Sequence, residues 1–275
     1  MAKVTYKELL DAGVHFGHLT RKWDPRMAPY IFMEKNGIHI IDLNKTIACI
    51  DQSAEVLKNI VKAGRKVMFV ATKKQAKEIV SDEAKRLNMP YVTERWLGGM
   101  LTNFATVRKS LKKMTSMEKL MKDEAYKNLA KRERLMMQRD KDKLERVLGG
   151  ISDLTRLPAA LFIVDIKREH IAVAEAKKLG IPVFGIVDTN SNPEAIEYPI
   201  PGNDDAFKSI ASISKVISTA IEEGLQERKK AKDDQKLAEA EAAKKAVDEP
   251  VVVKDAPKEA PAAEAEKVAS SDDKK

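Results

Sequence analysis

Val67-Met68-Phe69-Val70-Ala71 is an apolar run with no polar interruption. A strand with one wet face would alternate apolar and polar residues. A short continuous run instead fits a parallel strand covered on both faces. Thr72 and Gln75 follow it at capping-box spacing. Ala76, Ile79, Val80, Ala84 and Leu87 then line one face of a helix that Asn88 and Pro90 end. The same grammar returns downstream. Ala160–Val164 reads as a strand, Ile171–Leu179 as a helix stopped by Gly180, and Val183–Val187 as another strand. Asn203, Asp204 or Asp205 can cap a last helix with Ala206, Ile210, Ile213, Ile217 and Ile221 inward. Alternating strands and helices predict an α/β fold, a parallel sheet with helices on both faces. Right-handed crossovers leave few topologies for it.

Upstream of this unit, Thr5 and Glu8 have capping-box spacing for a short helix to Ala12, and Gly13 can end it. Val14 to His18 follows, then Arg21-Lys22-Trp23 and the turn former Pro25. Tyr30–Met33 and Ile38–Ile41 read as short strands joined by Asn36-Gly37, a strong hairpin signal. Ile47, Ile50, Ala54, Leu57 and Val61 recur at helical spacing, so residues 45–62 are expected to be an amphipathic helix.

Between the two halves lies Glu94-Arg-Trp-Leu-Gly-Gly-Met-Leu-Thr-Asn-Phe104. It reads as a joint between a globular body and an inserted helical arm. As a structural corner it would bury Trp96, Leu97, Met100, Leu101 and Phe104 while Gly98 and Gly99 allow the turn. As a binding element, Arg95 and Trp96 would touch RNA by charge and stacking. The arm follows. From Thr106 to Arg146 there are 14 Lys and Arg against 7 Asp and Glu, a net of +7. Its sparse apolar residues recur at ragged heptad spacing, which predicts two antiparallel helices packed as a short coiled coil with a bend at Asp123–Lys127. The expected division is residues 1–104 and 150–225 as the α/β body, 105–149 as the hairpin and 226–275 as a tail. The tail carries 12 basic and 13 acidic residues with three prolines, and should be disordered after a helical start continuing from Ile221.

The whole chain of 275 residues has a net charge of +8 and a pI near 9.3. The tail is net −1, so residues 1–225 carry all the basic excess. Such a balance points to a polyanionic partner, nucleic acid before an acidic membrane surface. One cysteine, Cys49, excludes a disulfide framework and a Cys-only zinc site. With no apolar signal region and no run long enough to span a bilayer, a soluble intracellular protein is expected.

Catalytic motifs are missing. There is no Walker-type phosphate loop, no Gly-x-Gly-x-x-Gly after a strand and no Gly-x-Ser-x-Gly elbow. His39 fits a packed or edge position and His170 a surface one. His15 and His18 would share a face if their segment were helical. Open parallel sheets bind ligands beyond the carboxyl ends of their strands. Thr72, Asp165 and Asp188 follow three such ends. Aspartates there could hold Mg²⁺ or, with His18, Zn²⁺; the cation set is His18, Asp188 and Asp205. The same aspartates could equally cap backbone amides. They carry the alternative reading, a flavodoxin-like enzyme or a phosphate- or metal-dependent switch.

Several motifs together resemble a known family. They are His-Phe-Gly-His at 15–18, Arg21 to Pro25, Asn-Gly-Ile-His-Ile-Ile-Asp at 36–42, Arg-Trp-Leu-Gly-Gly-Met-Leu-Thr-Asn-Phe at 95–104, and Ile-Pro-Gly-Asn-Asp-Asp-Ala at 200–206. In this order they are similar to the bacterial S-two family of the small ribosomal subunit, over about residues 3–225. The resemblance implies a flavodoxin-like sheet with a protruding coiled coil and no catalytic activity. It implies a cytoplasmic, ribosome-associated protein that binds small-subunit ribosomal RNA. It further implies contact with neighbouring ribosomal proteins and help in docking the large mRNA-binding OB-fold protein. No membrane partner, homo-oligomer or required cofactor is expected. The RNA-binding candidates are Arg21, Lys22, Lys73, Lys74, Arg95, Trp96, Arg108, Lys109, Lys112 and Lys113. Ser191-Asn192 stands where many members have Cys-Asp, which weakens a metal site using that loop.

Overall fold

The computed structural model describes residues 4–123, 126 and 129–247, with side chains described to residue 234. Helix α1 (Tyr6–Asp11) opens on the expected capping box, Thr5 and Glu8 each bonding the other's backbone amide. Strand β1 (Phe16–Leu19) follows, so Phe16 to His18 is extended, His15 lies in the turn before it, and the segment is not helical. Strands β2 (Ile31–Lys35) and β3 (Ile38–Ile41) form the hairpin, with Asn36 and Gly37 both left-handed at φ 54° and 71° as its turn requires. These three make an antiparallel sheet of order β1-β3-β2.

The body begins with α2 (Leu43–Lys62), then β4 (Val67–Val70), α3 (Lys74–Arg86) and the two-residue β5 (Tyr91–Val92). After the inserted arm come β6 (Ala160–Val164), α-helix His170–Lys178, β7 (Val183–Val187), β8 (Tyr198–Pro201) and the long helix Phe207–Val247. The arm supplies α4 (Phe104–Lys122) and α5 (Lys131–Leu148). The body helices His170–Lys178 and Phe207–Val247 are therefore α6 and α7. All neighbouring pairs in the five-stranded sheet are parallel, in the order β5-β4-β6-β7-β8. Numbered within that sheet, the order is the 2-1-3-4-5 of flavodoxin-like folds.

The uninterrupted apolar strands divide the core in two. Val67, Phe69, Phe162, Val164, Phe184 and Ile186 face α1, α2, α3 and α7. Met68, Val70, Leu161, Ile163, Val183 and Val187 face α6, the joint and the base of the arm. Phe69 and Phe162 meet edge to face at 5.6 Å. Each fully buried aromatic of this kind contributes about 1.5–3 kcal/mol by burial alone. Among the described residues, no helix is long and apolar enough to cross a membrane.

Sequence reading missed three strands. β1 shows no strand pattern of its own, β5 is too short to carry one, and β8 contains Pro199 and Pro201. Prolines are tolerated in β8 because it is an edge strand, where missing donors face no partner. The Thr72–Gln75 capping box does not form. Lys73 occupies the N-cap of α3 with no side-chain cap, and Thr72 Oγ1 bonds Glu169 instead. Asn203, not either aspartate, accepts the amides of Asp205 and Ala206 ahead of α7. In the arm α4 and α5 pack together, and the seam residues Val107, Leu111, Met114, Glu118 and Met121 recur at spacings of four and three. Met136 faces outward at 57% exposure. Of the expected bend, Asp123 ends α4, while residues 124, 125 and 127 lie outside the described residues. α7 carries the expected helical start of the tail on to Val247; residues 248–275 lie outside the described residues.

Candidate functional site

Four adjacent strands deliver charged residues to one edge. Lys73 lies just past β4, Asp165 past β6, Asp188 past β7 and Asp204 past β8. This is the carboxyl edge of the parallel sheet. Asp165 holds φ at 68°, unusual for a residue with a Cβ, and its carboxylate accepts the Arg168 amide. His18 arrives from β1. Gly17 makes that approach feasible, since a Cβ there would stand 2.5 Å from Thr189 Cγ2. The His18 amide then donates to Thr189 Oγ1 at 2.8 Å.

Within this cluster, His18 Nδ1 lies 3.0 Å from Asp188 Oδ2 and Nε2 lies 3.4 Å from Asp205 Oδ2. Lys73 Nζ lies 2.7 Å from Asp204 Oδ1, 2.6 Å from Asp205 Oδ1 and 3.9 Å from Asp165 Oδ2. Asp188 and Asp204 are buried, Lys73 and His18 half-buried, and Asp205 is exposed at the rim. Burial pushes the Asp204 carboxyl up to about 7, helped by Asp188 and Asp165 and opposed by Lys73. The Asp188 carboxylate raises the His18 pKa, against the effect of burial. For Lys73, burial acts downward and the carboxylates of Asp204 and Asp205 more than offset it.

His18, Asp188 and Asp204 each present a ligand atom within 4.8 Å of the others. One imidazole and two carboxylates suit Zn²⁺. Asp188 Oδ2 and Asp204 Oδ2 are both buried and take no aligned hydrogen bond. Buried carboxylate oxygens without donors are costly, and a cation would satisfy them. Of the expected set, Asp205 lies at the exposed rim between His18 and Lys73, while Asp204 stands inside the cluster. A phosphate has no place among these aspartates, which disfavours the phosphate-switch alternative.

Lys73 was expected to contact RNA, but it is only 12% exposed and its ammonium is held by carboxylates. Sequence could not separate it from the neighbouring Lys74, which is exposed. Trp96 is also corrected. It is 6% exposed, so its ring is not available to stack on a base, and its indole N–H donates to Glu175 Oε1 at 3.2 Å. The same carboxylate accepts the amides of Gly99, Leu101 and Thr102 at 2.7, 2.9 and 3.0 Å. The Glu94–Phe104 stretch is thus a corner wrapped around a buried anion. Glu175 was missed; its signal was a carboxylate on the buried face of α6, beside Ala172 and Ala176.

The remaining candidates are accessible. Arg21 and Lys22 sit on an exposed 3₁₀ turn, and Arg95 projects from the joint. Arg108, Lys109, Lys112 and Lys113 form one exposed stripe on α4, opposite the buried Leu111 and Met114. A second exposed feature is apolar. Phe16 and Met33 both stand opposite Ile40 across β3, so the three share a face of the antiparallel sheet. Phe16 and Met33 are each 48% exposed.

The sequence model of the family described as Ribosomal protein S2 matches residues 9–224. The small ribosomal subunit protein uS2 of Cytophaga hutchinsonii is 71% identical over 246 residues, covering 90% of this chain and 97% of that one. Its counterpart in Parabacteroides distasonis is 62% identical, over 87% of this chain and 86% of that one. The Flavobacterium johnsoniae protein of the same name is 61% identical, over 88% and 95%.

Proposed function

The chain belongs to the ribosomal protein S2 family, a structural and non-enzymatic one, and from this we propose that it binds small-subunit ribosomal RNA through its basic arm and joint. As a member of that family it is a component of the small ribosomal subunit. The observation that carries the RNA reading is the α4 stripe. Arg108, Lys109, Lys112 and Lys113 are exposed, adjacent and without a carboxylate partner among the described residues. A solvated helix of ordinary composition would interleave acids along such a face. Arg21, Lys22, Lys74 and Arg95 extend the positive surface onto the body. The apolar face of Phe16, Met33 and Ile40 supports a protein neighbour, and we assign it to docking of the large mRNA-binding OB-fold protein. Crosslinking of assembled small subunits with peptide mapping tests both. RNA adducts are expected on α4 peptides and protein adducts on β1 and β2; adducts confined to other surfaces would reject the assignment.

No cofactor is needed for this role. A second reading concerns stability. The buried oxygens of Asp188 and Asp204 beside His18, the Asp204 one without a donor, support a divalent cation, Zn²⁺ by donor type, as a tie between β1 and the sheet edge.

A further inference from the structure

At the opposite, amino end of the parallel sheet, three clefts of about 430, 560 and 200 Å³ share walls. Lys66 lines all three, and Arg65 lines the first two. Arg156 enters from the loop before β6, and Arg228 and Lys229 from α7. These five cations have no carboxylate at ion-pair distance among the described residues, unlike Arg86 nearby, which Glu83 and Glu222 hold. The Arg228 guanidinium lies against Gly64, where an added Cβ would meet its Cζ at 2.9 Å, which places it beside the residue that precedes Arg65. Basic residues often end helices because they offset the helix dipole. That accounts for Lys62 and Arg86, at the ends of α2 and α3. It does not account for Arg65 and Lys66, which lead into β4, for Arg156 in a loop, or for Arg228 and Lys229 within α7.

We propose that this amino-end surface is a second RNA contact, taking backbone phosphates between Arg65, Lys66, Arg156, Arg228 and Lys229. The two ends of the sheet then have opposite roles. The carboxyl edge gathers Asp165, Asp188, Asp204 and Asp205 around the single ammonium of Lys73 and is acidic, so it excludes phosphate. The amino edge is basic and unneutralised, so it attracts it. Its concavities are open to solvent, which suits a backbone and not a buried small molecule. This inference rests on the reading that the chain binds ribosomal RNA.

The test uses the full chain, a small-subunit ribosomal RNA transcript and a salt series. One variant carries Arg65→Gln, Lys66→Gln, Arg156→Gln and Lys229→Gln. A second carries Arg108→Gln, Lys109→Gln, Lys112→Gln and Lys113→Gln. Arg228 is left in place because it packs on Gly64. Each phosphate contact contributes about 0.7–0.9 to the slope of log affinity against log salt. The amino-end variant is expected to lose about 3 to 3.5 from that slope and about tenfold or more in affinity at low salt, with an unchanged melting temperature. A slope and affinity equal to wild type would overturn the second contact while leaving the arm reading to the other variant. Retained RNA binding with loss of a neighbouring protein would overturn it too, assigning the surface to an acidic protein. Wild-type protein that shows no salt-dependent binding would instead remove the general RNA reading.

Discussion

Lys73 Nζ lies 2.7 Å from the buried carboxylate of Asp204, across 131 positions of sequence. The contact puts a cation inside the acidic edge of the sheet and ties α3 to the segment before α7. Removing it would leave a buried anion with its like-charged neighbours Asp188 and Asp165.

Lys73→Met is therefore expected to destabilise the fold by about 3–5 kcal/mol, as breaking one side of a buried pair does. The effect depends on pH. Asp204 has a raised pKa, so between the ordinary carboxylate range and about 7 the folded state holds the extra proton. Its contribution to stability falls as pH rises through that window. Without Lys73 the ionised form is worse still. Melting curves should show a larger deficit at pH 8 than at pH 5.5; an equal deficit at both would refute the electrostatic account.

If a cation ties His18 to Asp188 and Asp204, EDTA should lower the melting temperature of purified protein. Asp188→Ala should abolish that sensitivity, and elemental analysis should find about one metal per chain in wild type. Identical melting with and without chelator, in a protein free of metal, would make the cluster a purely protein-held one.

Glu175→Gln removes the anion around which the joint is built. The amide keeps the shape but turns a donor toward amides that need an acceptor. A loss of about 3 kcal/mol is expected, with the joint and the base of the arm loosened first. Burial acts to raise the Glu175 pKa, and the amides of Thr102, Gly99 and Leu101 outweigh it, so the pKa is lowered. The stabilisation is present above the ordinary carboxylate range and is lost as pH falls through the lowered value. Wild type and Glu175→Gln should therefore converge in acid. Hydrogen exchange at Gly99–Thr102 reads the local effect, and unchanged protection there would contradict it.

Truncation resolves what α7 contributes. Glu227 pairs with Lys58 at 2.7 Å and with Lys62 at 3.1 Å. Ending the chain after Leu225 removes these pairs and should lower the melting temperature slightly. Ending it after Lys232, the close of the first compact unit, should change nothing. A large drop on ending the chain after Lys232 would show that later residues pack on the body.

The chain itself carried the fold class. Continuous apolar runs at 67–71, 160–164 and 183–187, each followed by a helical pattern, admit little but a covered parallel sheet. Asn36-Gly37 and the Thr5–Glu8 box were also legible, because a tight turn and a cap depend on neighbours in sequence. The family motifs lay in plain order, and the basic excess of the arm was a matter of counting. Strand order, the short β5 and the proline-bearing β8 were not legible, since pairing at an edge depends on which strand lies alongside.

The sites divide the same way. Arg108, Lys109, Lys112 and Lys113 form a stripe by helical period alone, so sequence was enough to expose them. Lys73 and Lys74 are chemically alike and adjacent, yet one is sealed among aspartates and the other faces water. For Trp96 the sequence left open a buried corner or a stacking platform, and burial against groups such as Glu175, 79 positions away, decides for the corner. Of the three possible caps ahead of α7, Asn203 takes the amides, Asp204 is buried in the cluster and Asp205 stays at the rim. Local periodicity is short-ranged and survives in sequence. Burial, charge neutralisation and ligand geometry come from groups distant along the chain, and only the packed tertiary structure brings them within bonding distance.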